Sequence, residues 1–131
     1  NTARTAIDAA NSLNTKVGSI VKSLLFKDAQ NNYHLCLVSG DKYVSLDKIT
    51  NLVNETIIKA SADECKEFTG FSIGGVSPIA LDNKPKSIFI DNNLSKYKKV
   101  YAAAGHPYVV FGLSYLELCD LTNGTEDNIT E

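Results

Sequence analysis

The chain contains no methionine and no tryptophan, and only three prolines and three cysteines among its 131 residues. Without a methionine, Asn1 is not expected to be the native start, so the N terminus is taken as truncated; no signal-peptide pattern opens the chain. No apolar run approaches the roughly 20 residues needed to cross a bilayer. Excess positive charge is missing too: 13 Lys and Arg stand against 15 Asp and Glu, which excludes a generally basic nucleic-acid coat and leaves only local patches. Cys36, Cys65 and Cys119 are odd in number and far apart, with no Cys-x-x-Cys or Cys/His cluster. A zinc site is therefore not expected, nor any other metal or cofactor, and the thiols read as small buried hydrophobes in a reducing, cytoplasmic setting. Four Asn-x-Ser/Thr matches, at Asn54, Asn93, Asn123 and Asn128, carry little weight there.

What is present suffices for one domain over residues 1–131, with a core that needs no disulfide. Thr2 to Leu13 reads as a helix, with Thr5 and Asp8 as an acidic capping box and Ala6, Ala9, Ala10 and Leu13 on one face. Ile20 to Lys27 and Tyr33 to Val38 form β-rich runs around the polar link Asp28–Asn32, the pattern of an antiparallel hairpin. Ser45 caps a helix bearing Leu46, Ile49, Leu52 and Val53, and Thr56 to Lys59 is a short strand. Ser61 and Glu64 make a capping box for a helix that stops at Gly70. Strands follow at Ser87 to Ile90 (closed by Asp91), Val100 to Ala104 and Tyr108 to Leu113, the last two separated by Gly105-His106-Pro107. Ser114 and Glu117 open a final helix with Leu116, Leu118 and Leu121, ending at Gly124. Residues Thr125 to Glu131 are polar and expected to fray. Strands and helices mix without βαβ spacing, which predicts an α+β fold: a mixed, partly barrel-like sheet flanked by helices.

The densest signal is residues 68–80, Phe-Thr-Gly-Phe-Ser-Ile-Gly-Gly-Val-Ser-Pro-Ile-Ala. Gly70, Gly74, Gly75 and Pro78 fall within nine positions, interleaved with Phe71, Ile73, Val76 and Ile79. That composition suits a semi-buried pocket wall, and the consecutive amides of Gly74 and Gly75 either bind a carbonyl oxygen or oxyanion or merely form a tight turn. Ser77 and Pro78 continue the same wall as substrate-binding candidates. Lys22 is the second oddity, since alternation puts it on the face of Leu24 and Phe26. Either its ammonium snorkels to water at the strand end, or it anchors an anion at a pocket floor. His106, between two strands, is a candidate base or pocket-wall donor, although a loop histidine is more often neither. His34 reads as structural or solvent-facing. Asp91, closing an apolar strand, is the acid singled out for substrate contact. Lys84, Lys86, Lys96, Lys98 and Lys99 form either a basic rim or an ordinary solvated surface.

Taken in order, these segments resemble the YbaK/ProX family, free-standing relatives of the editing insertion domain of bacterial prolyl-tRNA synthetase. The likeness runs from Thr-Ala-Arg-Thr-Ala-Ile-Asp-Ala-Ala through Ile-Val-Lys-Ser-Leu-Leu-Phe and Val-Ser-Leu-Asp-Lys-Ile. It continues in the glycine segment, Ile-Phe-Ile-Asp and Tyr-Ala-Ala-Ala-Gly, and ends with Leu-Ser-Tyr-Leu-Glu-Leu-Cys-Asp-Leu-Thr. The resemblance implies an aminoacyl-tRNA deacylase acting in trans, hydrolysing the ester of proline tRNA that carries alanine, 2-aminobutyrate or cysteine. It places the family's lysine at Lys22 and its Gly-Gly-x-x-Pro segment at Gly74 to Pro78. The implied partners are the 3′ end of an aminoacyl-tRNA and prolyl-tRNA synthetase. Two departures stand out: Ile79-Ala80 follows Pro78 where many members have an apolar residue then glycine, and Val110 stands where some cysteine-type members place an acid. The pattern is thus similar to members that clear alanine or 2-aminobutyrate. A domain that binds tRNA or a synthetase without hydrolysis is the competing expectation.

Overall fold

The structure, a computed structural model, describes residues 6–106 and 109–131. Helix α1 (Ala6–Leu13) buries Ala9 and Ala10; the Thr5 half of its expected cap lies outside the described residues. Strands β1 (Val21–Asp28) and β2 (Tyr33–Ser39) pair antiparallel in the register Lys22 to Val38. Asp28 builds the connecting turn, its carboxylate accepting the N–H groups of Gln30 and Asn32. Helix α2 (Leu46–Val53) starts at the Ser45 cap. Ile49 is its fully buried residue, whereas Leu46 and Leu52, expected on the same face, are exposed. Strand β3 (Ile57–Lys59) pairs antiparallel with the far end of β1. Helix α3 (Ala62–Thr69) opens with the reciprocal Ser61–Glu64 box and closes at Gly70 in the left-handed conformation.

Strand β4 (Ser87–Asp91) runs parallel to β2. Strands β5 (Val100–His106) and β6 (Val109–Leu113) form a separate antiparallel pair with an irregularity between Ala103 and His106. His106 therefore ends a strand instead of sitting in the expected loop. Helix α4 (Tyr115–Thr122) has the Ser114–Glu117 box and buries Tyr115, Leu118 and Thr122, with Leu116 and Leu121 outward. Its end is Asn123 in the left-handed region, one residue before Gly124. The expectation of a frayed end is overturned. Residues Thr125–Asp127 form β7, parallel to β4, and Ile129 is completely buried.

The strand order is β3-β1-β2-β4-β7, a mixed sheet, and an isolated bridge from Ile20 to Tyr101 ties the β5–β6 pair to its edge. This is the α+β, partly closed architecture expected from the sequence. Alternation gives the sheet two cores. Val21, Leu25, Leu35 and Leu37 pack with Cys65, Val76, Leu113 and Leu118 on one face. On the other, Phe26, Cys36 and Val38 meet Ile49, Phe89 and Ile129. Burial pushes the Cys36 thiol up to about 12, so it serves as an inert hydrophobe.

Candidate active site

Strand β1 is longer than its neighbours on one side. β3 pairs with β1 from Phe26 to Asp28, and the bridge to β5 falls at Ile20, just before β1 begins. The open stretch between them is one wall of a cavity of about 310 Å³. Residues 20–25 supply that wall, α1 contributes Ala6 and Ala9, and Lys59, Ala60 and Cys65 stand opposite. Ile73, Gly74 and Val76 come from the glycine segment, and Tyr101, Ala103 and Val110 from the β5–β6 pair. The lining is mostly apolar and holds no carboxylate.

Gly74 has φ +87° and occupies the third position of a turn closed by Gly75 N–H to Ser72 C=O at 2.9 Å. A type II turn requires positive φ there, and glycine provides it. The two glycine amides, alike in the sequence, thus part company. Gly75 spends its N–H inside the turn, while Gly74 faces the cavity. Val76 is the buried apolar wall residue. Ser77 is buried and its Oγ accepts the Ile79 N–H at 3.3 Å, which holds the segment around the buried Pro78. Neither lines the cavity.

Lys22 lies on the face of Leu24 and Phe26, as alternation requires. Its Nζ donates to the Lys42 carbonyl at 2.5 Å and stands 5.1 Å from the centroid of the Tyr43 ring. Burial pushes its pKa below the ordinary lysine value; Asp41 and Asp91 pull it back up, and Lys59 pushes it down further. The two lysines of the lining therefore sense each other's charge.

Asp91 is fully buried, outside the lining. Its carboxylate accepts the Ser39 N–H at 3.0 Å, the Asn93 N–H at 2.9 Å and the Asn93 side-chain amide at 2.8 Å. It fixes the end of β2 and reaches the site through its field on Lys22. His106 is exposed at the end of β5 and does not line the cavity. His34 is buried, with Nε2 2.8 Å from the Asp28 carboxylate, so the structural alternative holds. The five lysines from Lys84 to Lys99 are exposed, and none lines the cavity. Among the described residues no group of three or more His, Cys, Asp or Glu is placed to hold a metal, and no helix is long and apolar enough to cross a membrane.

Sequence reasoning passed over Ser23, Lys59 and Tyr101. Ser23 did leave a signal, as the polar residue between Val21 and Leu25 on a core face. Lys59 left none, because its place depends on where β3 ends in space.

A small mixed sheet whose incompletely paired strand borders an apolar cavity defines an α+β domain with a candidate ligand site. The comparisons give the family. The model described as the aminoacyl-tRNA editing domain matches residues 1–121, and the chain belongs to that family. The uncharacterised protein YwhH of Bacillus subtilis is 27% identical over 118 residues, covering 90% of this chain and 74% of YwhH. Proline–tRNA ligase of Bacillus licheniformis is 37% identical over 89 residues, covering 67% of this chain and 15% of the ligase. The chain thus spans a small part of the ligases it matches. A crystal structure described as a candidate trans-editing enzyme for prolyl-tRNA synthetase superposes with a TM-score of 0.93 at 37% identity, covering 98% of this chain and 81% of that one.

Proposed function

We propose that this chain is a deacylase acting in trans on mischarged tRNA, hydrolysing the ester between a small amino acid and the terminal ribose. The substrate class is proline tRNA carrying alanine, 2-aminobutyrate or cysteine. The observation that carries the reading is the cavity: about 310 Å³, apolar, and bordered by a glycine turn and a lysine, in a chain of the editing-domain family. That volume is at the small end for ligand sites, which suits a short side chain. Val110 in the lining, with no carboxylate beside it, favours alanine and 2-aminobutyrate over cysteine.

An aminoacyl ester is already activated, so holding water, ester and ribose in a reactive geometry supplies much of the acceleration. In this reading Lys22 anchors a phosphate or ribose oxygen of the tRNA 3′ end. One of its three N–H donors is held by Lys42, which leaves two for the ligand. Gly74 presents its amide to the ester carbonyl and the developing oxyanion. Gly75, Ser77 and Pro78 hold that turn in shape. His106, exposed outside the lining, takes no part in holding the aminoacyl moiety, and Asp91 sets the charge environment of Lys22. The neighbouring ribose 2′-hydroxyl positions the attacking water. A synthetase partner would raise the local concentration of the tRNA.

The test is to follow ester loss from alanyl-, 2-aminobutyryl- and cysteinyl-tRNA for proline in the presence of the protein. Hydrolysis with alanine or 2-aminobutyrate preferred is the expected result, unchanged by EDTA. Retention of tRNA in a gel without ester loss would replace the enzyme with a binding module. Unimpaired hydrolysis by Lys22→Ala would remove the anchor from the scheme.

A further inference from the structure

Ser23 is a polar side chain of the cavity wall whose shielded hydroxyl is left without a hydrogen bond among the described residues. Its main chain is open along the same wall. Leu25 C=O accepts the Ala60 N–H at 3.0 Å, so the odd-numbered groups of β1 point to the β3 side, away from β2. Ser23 follows that alternation, yet it lies beyond the last β3 pair and short of nothing but the isolated bridge at Ile20. The N–H and C=O of Ser23 therefore lie at a strand edge with no ladder partner among the described residues, and its side chain stands off the sheet beside the same ligand-sized space.

We propose that Ser23 is a positioning residue that receives the α-ammonium of the aminoacyl group on its main-chain carbonyl and, once χ1 turns the shielded Oγ into the cavity, on its hydroxyl oxygen. The inference rests on the deacylase reading above. Every aminoacyl ester carries that ammonium, and it needs oxygen acceptors. The lining offers no carboxylate, and Lys22 and Lys59 repel a cation. The Cys65 sulfur is engaged with Thr69 and the Phe71 carbonyl. Tyr101 packs with Ala9, Ala10 and Ile20 at the α1 end. Gly74 presents a donor, which suits the ester carbonyl instead. With the ammonium at Ser23 and the carbonyl at Gly74, the substrate is held at two points and its side chain is turned to the apolar remainder of the cavity.

The experiment compares hydrolysis of alanyl-tRNA and N-acetylalanyl-tRNA for proline, since acetylation removes the ammonium and leaves the ester. The parent should favour the free amine by about tenfold or more, the scale of one hydrogen bond to a charged group. Ser23→Ala should lose that preference, slowing on alanyl-tRNA and changing little on the acetylated ester, and Ser23→Thr should restore it. Ser23→Cys, which keeps the bulk but offers a poor acceptor, reads the same ratio if the alanine variant melts early. Equal slowing on both esters, or a preserved preference, would overturn the proposal. A parent that hydrolyses neither ester would instead bring down the deacylase reading, and this inference with it.

Discussion

A Cβ added at Gly105 would stand 2.9 Å from Cε1 of Phe71. The ring of the glycine-rich segment thus fills the side-chain position that the end of β5 leaves empty, and joins two walls of the cavity. Gly105 also has φ +90°, where an L side chain is strained. Gly105→Ala should therefore lower stability by about 1–3 kcal/mol and slow deacylation, with both walls displaced. Phe71→Leu in the same chain should recover the part due to the clash and leave the part due to φ. Urea midpoints of the two single variants and the double variant separate them; strictly additive losses would dissolve the link between the walls.

Lys22 should behave as a residue kept for its chemistry. Burial lowers its pKa, so the folded state disfavours the charge relative to the unfolded chain. Lys22→Met, apolar on the face of Leu24 and Phe26, is expected to raise the melting midpoint by on the order of 3 °C. Deacylation should fall by about a hundredfold, the loss of a charge-assisted contact. A lower midpoint would mean that the Lys42 carbonyl and the Tyr43 ring compensate the burial in full.

The capping boxes at Ser61 and Ser114 were legible because each is closed within four residues. The face of Lys22 was legible because alternation is a property of one strand. Residues 125–127 were not: Thr-Glu-Asp has no apolar signal, and its pairing with Phe89, Ile90 and Asp91 is parallel and distant in sequence. The division of labour between Gly74 and Gly75 was hidden for a related reason, since it turns on which amide closes the turn to Ser72. Ser23 depended on two non-local facts, where β3 stops and where β5 arrives.

The Asp28–His34 pair gives a prediction in acid. Burial pushes the Asp28 carboxyl up, but the His34 ring and the N–H groups of Asn32 and Gln30 outweigh it and hold it down to about 2, below its ordinary 3.8. A depressed carboxylate stabilises the fold above its unfolded-state pKa and loses that contribution as pH falls through the folded one. The stabilisation should be complete above roughly pH 4 and fade toward pH 2. Asp28→Asn should melt earlier than the parent at neutral pH, and the gap between them should close below pH 4. Melts of both proteins across that range decide the matter; a constant gap would assign the effect to packing.

The C-terminal segment clasps the loop that holds Lys22. Ile129 C=O accepts the Ser45 N–H at 2.8 Å, Glu131 N–H donates to the Tyr43 carbonyl at 3.0 Å, and Lys48 Nζ donates to the Thr130 carbonyl at 2.6 Å. The side chain that seats this clasp is Ile129, buried among Phe26, Val38, Ile49 and Phe89. Ile129→Ala should cost about 2–5 kcal/mol as a large-to-small change in a core. Because Lys42 and Tyr43 position the ammonium, the same substitution should also weaken tRNA binding at temperatures where the variant remains folded. Circular dichroism fixes that temperature window, and a titration of the tRNA within it reads the affinity. Unchanged affinity in a folded, destabilised variant would show that Lys22 is positioned by β1 alone.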